Sequence, residues 1–124
     1  DYAASRARES KSPVEVHLLN VQMQIVSVNV KLFVSAESLE SYYRDEGNRA
    51  LEAPLARAKN AGLNVTPHIG VGDPAKIIMD YAKEKKAHEI VMGSHGRGAL
   101  SGAVLGSVAQ KVVHLASVPV VLVK

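Results

Sequence analysis

The residues best equipped for chemistry run from Met92 to Ser107, read as Met92-Gly93-Ser94-His95-Gly96-Arg97-Gly98-Ala99-Leu100-Ser101-Gly102-Ala103-Val104-Leu105-Gly106-Ser107. A short apolar run ends at Gly93, a glycine-rich stretch follows, and apolar residues at helical spacing take over near its far end. In open α/β sheets, ligands bind outside the carboxyl ends of the strands, where such loops lie. Glycine lets backbone N–H groups approach a phosphate with no side chain in the way. The positive end of the following helix attracts anions. Ser107 adds a hydroxyl, and Arg97 a charge able to reach an outer phosphate. The chemistry on offer is phosphate holding. The same glycines, taken alone, also make a long turn. No Gly-Lys-Ser or Gly-Lys-Thr of a Walker A loop is present.

Other constellations carry less. His17, His68, His88, His95 and His114 show neither i, i+4 pairing nor ligand spacing, so no metal site is expected. His17 and His114 read as core-edge residues with a hydrogen-bond partner, and His95 alone is placed to touch a ligand. Ser94-His95 is a poor nucleophile and base, because adjacent side chains diverge and no orienting acid stands nearby. Glu37, Glu40, Asp45 and Glu46 read as a solvated helix face. No carboxylate near the glycine loop suggests a magnesium ligand or general base, so binding is favoured over turnover and no catalytic residue is assigned. Gly70-Val71-Gly72-Asp73-Pro74-Ala75 fits the dinucleotide pattern G-x-G-x-x-A. It reads more simply as a strand–turn–helix junction, since no acidic residue ends the following strand.

The elements that must position the loop alternate between strand and helix, which argues for parallel βαβ units. Strands are predicted over Val14–Val21, Asn64–Val71, Ile90–Gly93 and Pro119–Val123, with Pro67 marking a bulge or an edge in the second. A helix over Ser38–Ala61 contains Pro54, which predicts a kink or break near Ala50. Asp73 as N-cap and Pro74 at the first position open another, with Ile77, Ile78, Tyr81 and Ala82 as its buried stripe. The last helix is predicted over Val104–Ala116, with Val104, Leu105, Val108, Ala109, Val112 and Val113 on one face. Val26–Val34 alternates with period two and reads as an extended strand or arm. The charged segment Arg6–Lys11 carries no strand-like run.

Composition agrees with one globular domain. The 124 residues are 47% hydrophobic with a net charge of +3, and one Phe and no Trp leave an aliphatic core. Mild basicity without interleaved aromatic residues argues against nucleic-acid binding. The absence of cysteine excludes disulfides and thiol chemistry. No leader-like or membrane-length apolar run is visible, so the expectation is a soluble, cytoplasmic protein without membrane contact.

Gly93, Gly96, Gly106 and Ser107 match Gly, two residues, Gly, nine residues, then Gly and Ser or Thr, and through this spacing the chain resembles the universal stress protein family. The flanking EIVMGSHGRG and LGSVAQKVVHLASVPVVLVK, with HLLNV and GDPAKIIMDYA further upstream, are similar too. The resemblance implies a flavodoxin-like (Rossmann-like) open parallel sheet of order 3-2-1-4-5 with helices on both faces. It also implies ATP as ligand, with or without magnesium, and a homodimer. Gly93 and Gly96 would lie under the phosphates and ribose, with Ser94, His95 and Arg97 beside them. Gly106 and Ser107 would hold phosphate through a backbone N–H and the hydroxyl. Met92 and Val108 would line the pocket, and Val21 would contact the adenine.

Members of the family begin with an apolar strand ending in Asp and a full helix before the HLLNV strand. Only Asp1–Pro13 precede it here, so residues 1–124 are expected to form one domain, incomplete at its N-terminal end, without the first central strand. An apolar last strand at the sheet edge, Val118, Val120, Val121, Leu122 and Val123, needs covering or pairing. The resemblance implies pairing with its two-fold mate. The function expected is an ATP-binding stress-response regulator that meets an unidentified protein partner. A slow magnesium-dependent ATPase using the same loop, and a nucleotide-free structural dimer, are the alternatives.

Overall fold

The computed structural model describes residues 1–11, 13–24, 35–94 and 105–123. Two compact units divide the chain, Asp1–Val71 and Gly72–Lys124. Each has its own parallel strand pair.

In the first unit the order is α1 (Tyr2–Glu9), β1 (Glu15–Gln22), α2 (Ala36–Asn60) and β2 (Asn64–Val71). Helix α1 occupies the charged N-terminal segment where the sequence pattern shows no element. It buries none of its residues, so no apolar stripe announces it. Its end is tied by an exposed pair, Arg57 Nη2 to Asp1 Oδ1 at 3.1 Å, an interaction of little net worth in water.

Helix α2 starts at Ser35, whose hydroxyl accepts the Ser38 amide at 3.1 Å. Glu37 in its first turn and Arg57 and Lys59 in its last suit the helix dipole. The break predicted near Ala50 does not occur: the helix runs unbroken through Pro54 for 25 residues. Pro54 removes one donor, while the turns on either side keep theirs. Gly47 explains how α2 comes so close to β2. A Cβ there would fall 2.7 Å from the Ile69 side chain, so only glycine fits. Leu51, one turn on, is buried at 5% exposure.

Strands β1 and β2 pair in parallel over their full lengths, from Glu15 opposite Asn64 to Gln22 opposite Val71. Pro67, opposite Leu18, is accommodated because β2 has one strand neighbour among the described residues. The alternating segment Val26–Val34 lies outside the described residues.

The second unit runs α3 (Pro74–Glu84), β3 (Ile90–Gly93), α4 (Ser107–Leu115) and β4 (Val120–Val123). Asp73 caps α3, its carboxylate accepting the Lys76 amide at 3.2 Å, with Pro74 at the first position. Gly72 just before it has φ +141°, a backbone region closed to side-chain-bearing residues. This accounts for the dinucleotide-like pattern as a turn and a cap. The core is Ala75, Ile90 and Val112, with Ile78, Met79, Ala82, Met92, Val108, Ala116, Val118 and Val120 packed around it.

Two face assignments change here. Ala75, Ile78, Met79 and Ala82 form the inner stripe of α3, while Ile77 and Tyr81 are half-buried and lie outside it. Val113, assigned to the inner face of the last helix, is 47% exposed. One residue beyond the fully buried Val112, it is turned about 100° away around the helix axis. That helix also begins later than predicted, because Leu105 and Gly106 are not helical.

Strands β3 and β4 pair in parallel from Ile90 opposite Val120 to Gly93 opposite Val123. With β1 to β4 taken as the second to fifth strands of the order 3-2-1-4-5, the observed pairs are 2-3 and 4-5. These are the two adjacencies that do not involve the first strand. The fold is α/β with parallel strands and interleaved helices. Among the described residues, no helix is long and apolar enough to cross a membrane.

Candidate functional site

The phosphate-holding residues suggested by the sequence gather where β3 ends and α4 begins. Met92 is half-buried and packs on the core, which fixes the end of β3. Gly93 is exposed at the strand's last position. Ser94 continues the ladder by one bond, its amide donating to the Val123 carbonyl at 2.9 Å, and it is 8% exposed.

The Ser94 carbonyl then accepts the Gly106 amide at 2.8 Å. That bond ties the two ends of the glycine stretch together at a neck formed by Ser94 and Gly106. His95, Gly96 and Arg97 lie outside the described residues.

Beyond the neck the chain enters α4. Gly106 is its N-cap, with φ −63° and ψ 157°, and brings no side chain to the helix end. The Gln110 amide makes the first intrahelical bond, to the Gly106 carbonyl at 3.0 Å. The amides of Ser107, Val108 and Ala109 therefore precede any intrahelical acceptor. No acidic residue stands in the first turn, so nothing there competes for the positive end of the helix.

Ser107 is exposed at the first helical position and Val108 is half-buried behind it. The Gly106 amide, to which the resemblance gives a phosphate role, donates to the Ser94 carbonyl here. The backbone donors left for an anion are those of the three residues that follow.

Gln110 also serves this helix end, though no motif in the sequence singles it out. Its side-chain amide donates to the Leu105 carbonyl at 2.8 Å, holding the residue before the N-cap. A polar residue four positions into a helix whose cap is glycine is the signal that could have drawn attention to it. Val21, the expected adenine contact, is half-buried near the end of β1, in the first unit. Among the described residues no group of three or more His, Cys, Asp or Glu side chains is arranged to hold a metal ion.

The model of the universal stress protein family matches residues 1–124, the whole chain. The chain belongs to the universal stress protein family. It is 37% identical over 90 residues to Universal stress protein MJ0531 of Methanocaldococcus jannaschii, across 73% of this chain and 53% of that one. Universal stress protein YxiE of Bacillus subtilis is 34% identical over 71% of this chain and 60% of its own. The chain thus spans little more than half the length of these curated relatives.

Among solved structures, that of MJ0577 superposes with a TM-score of 0.80 at 29% identity, covering 99% of this chain and 85% of that one. An Arabidopsis thaliana member with AMP bound has the same fold at 24% identity, with a TM-score of 0.64 over 98% of this chain and 75% of its own.

Proposed function

We propose that this universal stress protein binds an adenine nucleotide, ATP in the first instance, with its phosphates at the N-terminus of α4. One observation carries the reading: the Gly106–Ser94 bond closes the neck beside a helix end that has no side-chain cap and no acid in its first turn. Ser107 supplies a hydroxyl there, and amide donors with a positive helix end are a ready anion site. The family's spacing of Gly93, Gly96, Gly106 and Ser107 supports placing the phosphates here. The AMP-bound Arabidopsis protein supports an adenine nucleotide as ligand.

The role is binding, with ATP occupancy serving as the signal to a protein partner. The chain acts as one family domain, in the cytoplasm, and as a homodimer. Strand β4 pairs on one side only among the described residues, and Val121 and its neighbours offer an apolar edge to the mate's β4.

A thermal-shift titration of the full-length protein with ATP, with and without Mg²⁺, tests the proposal when phosphate release is followed in parallel. Saturable stabilisation without release is expected. Steady release above background would establish the ATPase alternative. No stabilisation at millimolar ATP would sink the assignment.

A further inference from the structure

Histidine is the side chain whose charge changes near neutral pH, and two of the five histidines meet across the first strand pair. His17 lies on β1 opposite Thr66, and His68 lies on β2 opposite Leu19. Side chains on paired and alternate positions share a face, so the two rings are diagonal neighbours on one side of the sheet. His17 Nδ1 and His68 Nε2 are 2.8 Å apart. The ring centroids are 5.1 Å apart and the planes are tilted by 32°. A centroid separation that exceeds the N···N distance by about two ring radii means that the rings meet nearly end to end.

That arrangement suits a proton held between two nitrogens. It leaves too little room for a metal ion, since two nitrogens sharing a tetrahedral zinc stand about 3.3 Å apart. The other nitrogen of His17 is also engaged, with Nε2 3.2 Å from Glu15 Oε1.

We infer that Glu15, His17 and His68 form a proton-binding site that accommodates the neutral and the singly charged histidine pair and excludes the doubly charged one. With both rings neutral, His17 donates Nε2–H to Glu15, and its Nδ1 accepts Nε2–H of His68. Adding one proton to the pair leaves a single hydrogen between the facing nitrogens, and the Glu15 carboxylate compensates the charge. Adding the second places two N–H groups head to head at a hydrogen-bond distance, with two like charges. The strands must then part or the rings must turn away.

Among the described residues of this unit, the charged groups nearest the pair are few on its own face. On the same strand face, Asn64, Thr66 and Gly70 of β2 are not titratable. Helix α2 packs on the opposite face, where Gly47 meets Ile69. Its Glu40, Tyr43, Arg44, Arg49, Glu52 and Lys59 line grooves there beside Pro67. Of the charged residues of α1, Arg6, Arg8 and Glu9 are exposed and Asp1 pairs with Arg57.

The consequence is directional. Stability of the β1–β2 pair is complete while at most one proton is bound and is lost as pH falls through uptake of the second. Acid thus loosens the strand that carries Val21.

Imidazole NMR titration of the full-length protein tests the site. In the wild type, His17 and His68 should report the same two uptake steps, separated by about one pH unit or more, as expected of strongly coupled groups. His68→Gln should leave His17 with one step, and His17→Gln should do the same for His68. If either variant fails to fold, the other suffices. Thermal melting should fall more steeply from pH 7 to pH 5 in the wild type than in either variant. Single-step titrations in the wild type that each variant leaves unchanged, or equal pH slopes of melting, would overturn the inference.

Discussion

The two strand pairs of this protein are built on different principles. Strands β1 and β2 are eight residues each, with Asn20, Gln22, His17 and His68 among their inward and outward positions, and α2 covers one face. Strands β3 and β4 are four residues each and almost wholly apolar, backed by a core centred on Val112 at 0% exposure. The first pair is long, backed by α2 through Gly47 and Leu51, and carries the His17–His68 contact, whereas the second is short and packs against α3 and α4. The short pair ends in the neck that carries the candidate phosphate site. The residues on either side of the proposed phosphate site, Met92 and Val108, thus pack on the core of their unit, which suits a preorganised site.

Charging the packed core should break this contrast most severely. Val112→Asp places a carboxylate in the fully enclosed site of the second unit and should cost more than about 4 kcal/mol. Denaturant unfolding would show loss of the native baseline, and a normal transition would mean that Val112 is not enclosed. Val121→Asp tests the outer edge of the short pair. If the proposed dimer pairs through β4, an unpaired charge there should weaken association by about 2–3 kcal/mol, read as monomer in sedimentation, while a dimer unaffected by the change would contradict pairing through β4.

Gly47→Ala probes the long pair. Overpacking against Ile69 costs about 1–3 kcal/mol and the gain in helix propensity returns about 1, so a net loss of up to about 2 kcal/mol is expected. A stabilised variant would mean that α2 can move away from β2. Asp73→Ala removes one cap and should cost about 1 kcal/mol, measured as a small drop in denaturation midpoint.

The contrast also explains which parts were legible in the sequence. Strand β2 was predicted at its observed bounds, Asn64–Val71, and the Asp73–Pro74 helix start was read directly. Both are local signals: β-branched runs, a capping carboxylate and a proline. Helix α1 was missed because it buries nothing and so has no apolar stripe. The stripes of α3 and α4 were each partly misplaced, since period alone does not say which of several adjacent apolar residues faces the core.

The neck was not readable at all, because the bond from Gly106 to Ser94 joins backbone groups that carry no sequence label. The His17–His68 contact joins residues 51 positions apart, and their meeting depends on strand register. At the site, residue types were visible, but the division of labour was not. The family resemblance implies a phosphate role for Gly106, and the fold adds a bond from its amide to the Ser94 carbonyl that no residue type announces.

The proposed phosphate site is the N-terminus of α4, beside the Ser94–Gly106 bond. Titration calorimetry of ATP into the full-length protein and its Ser107→Ala variant tests it most directly. The account predicts saturable binding by the wild type and a loss of about 1.5–3 kcal/mol in the variant, the usual scale for a hydrogen bond to a charged group. Equal affinities for the two proteins, or no binding by the wild type, would contradict it.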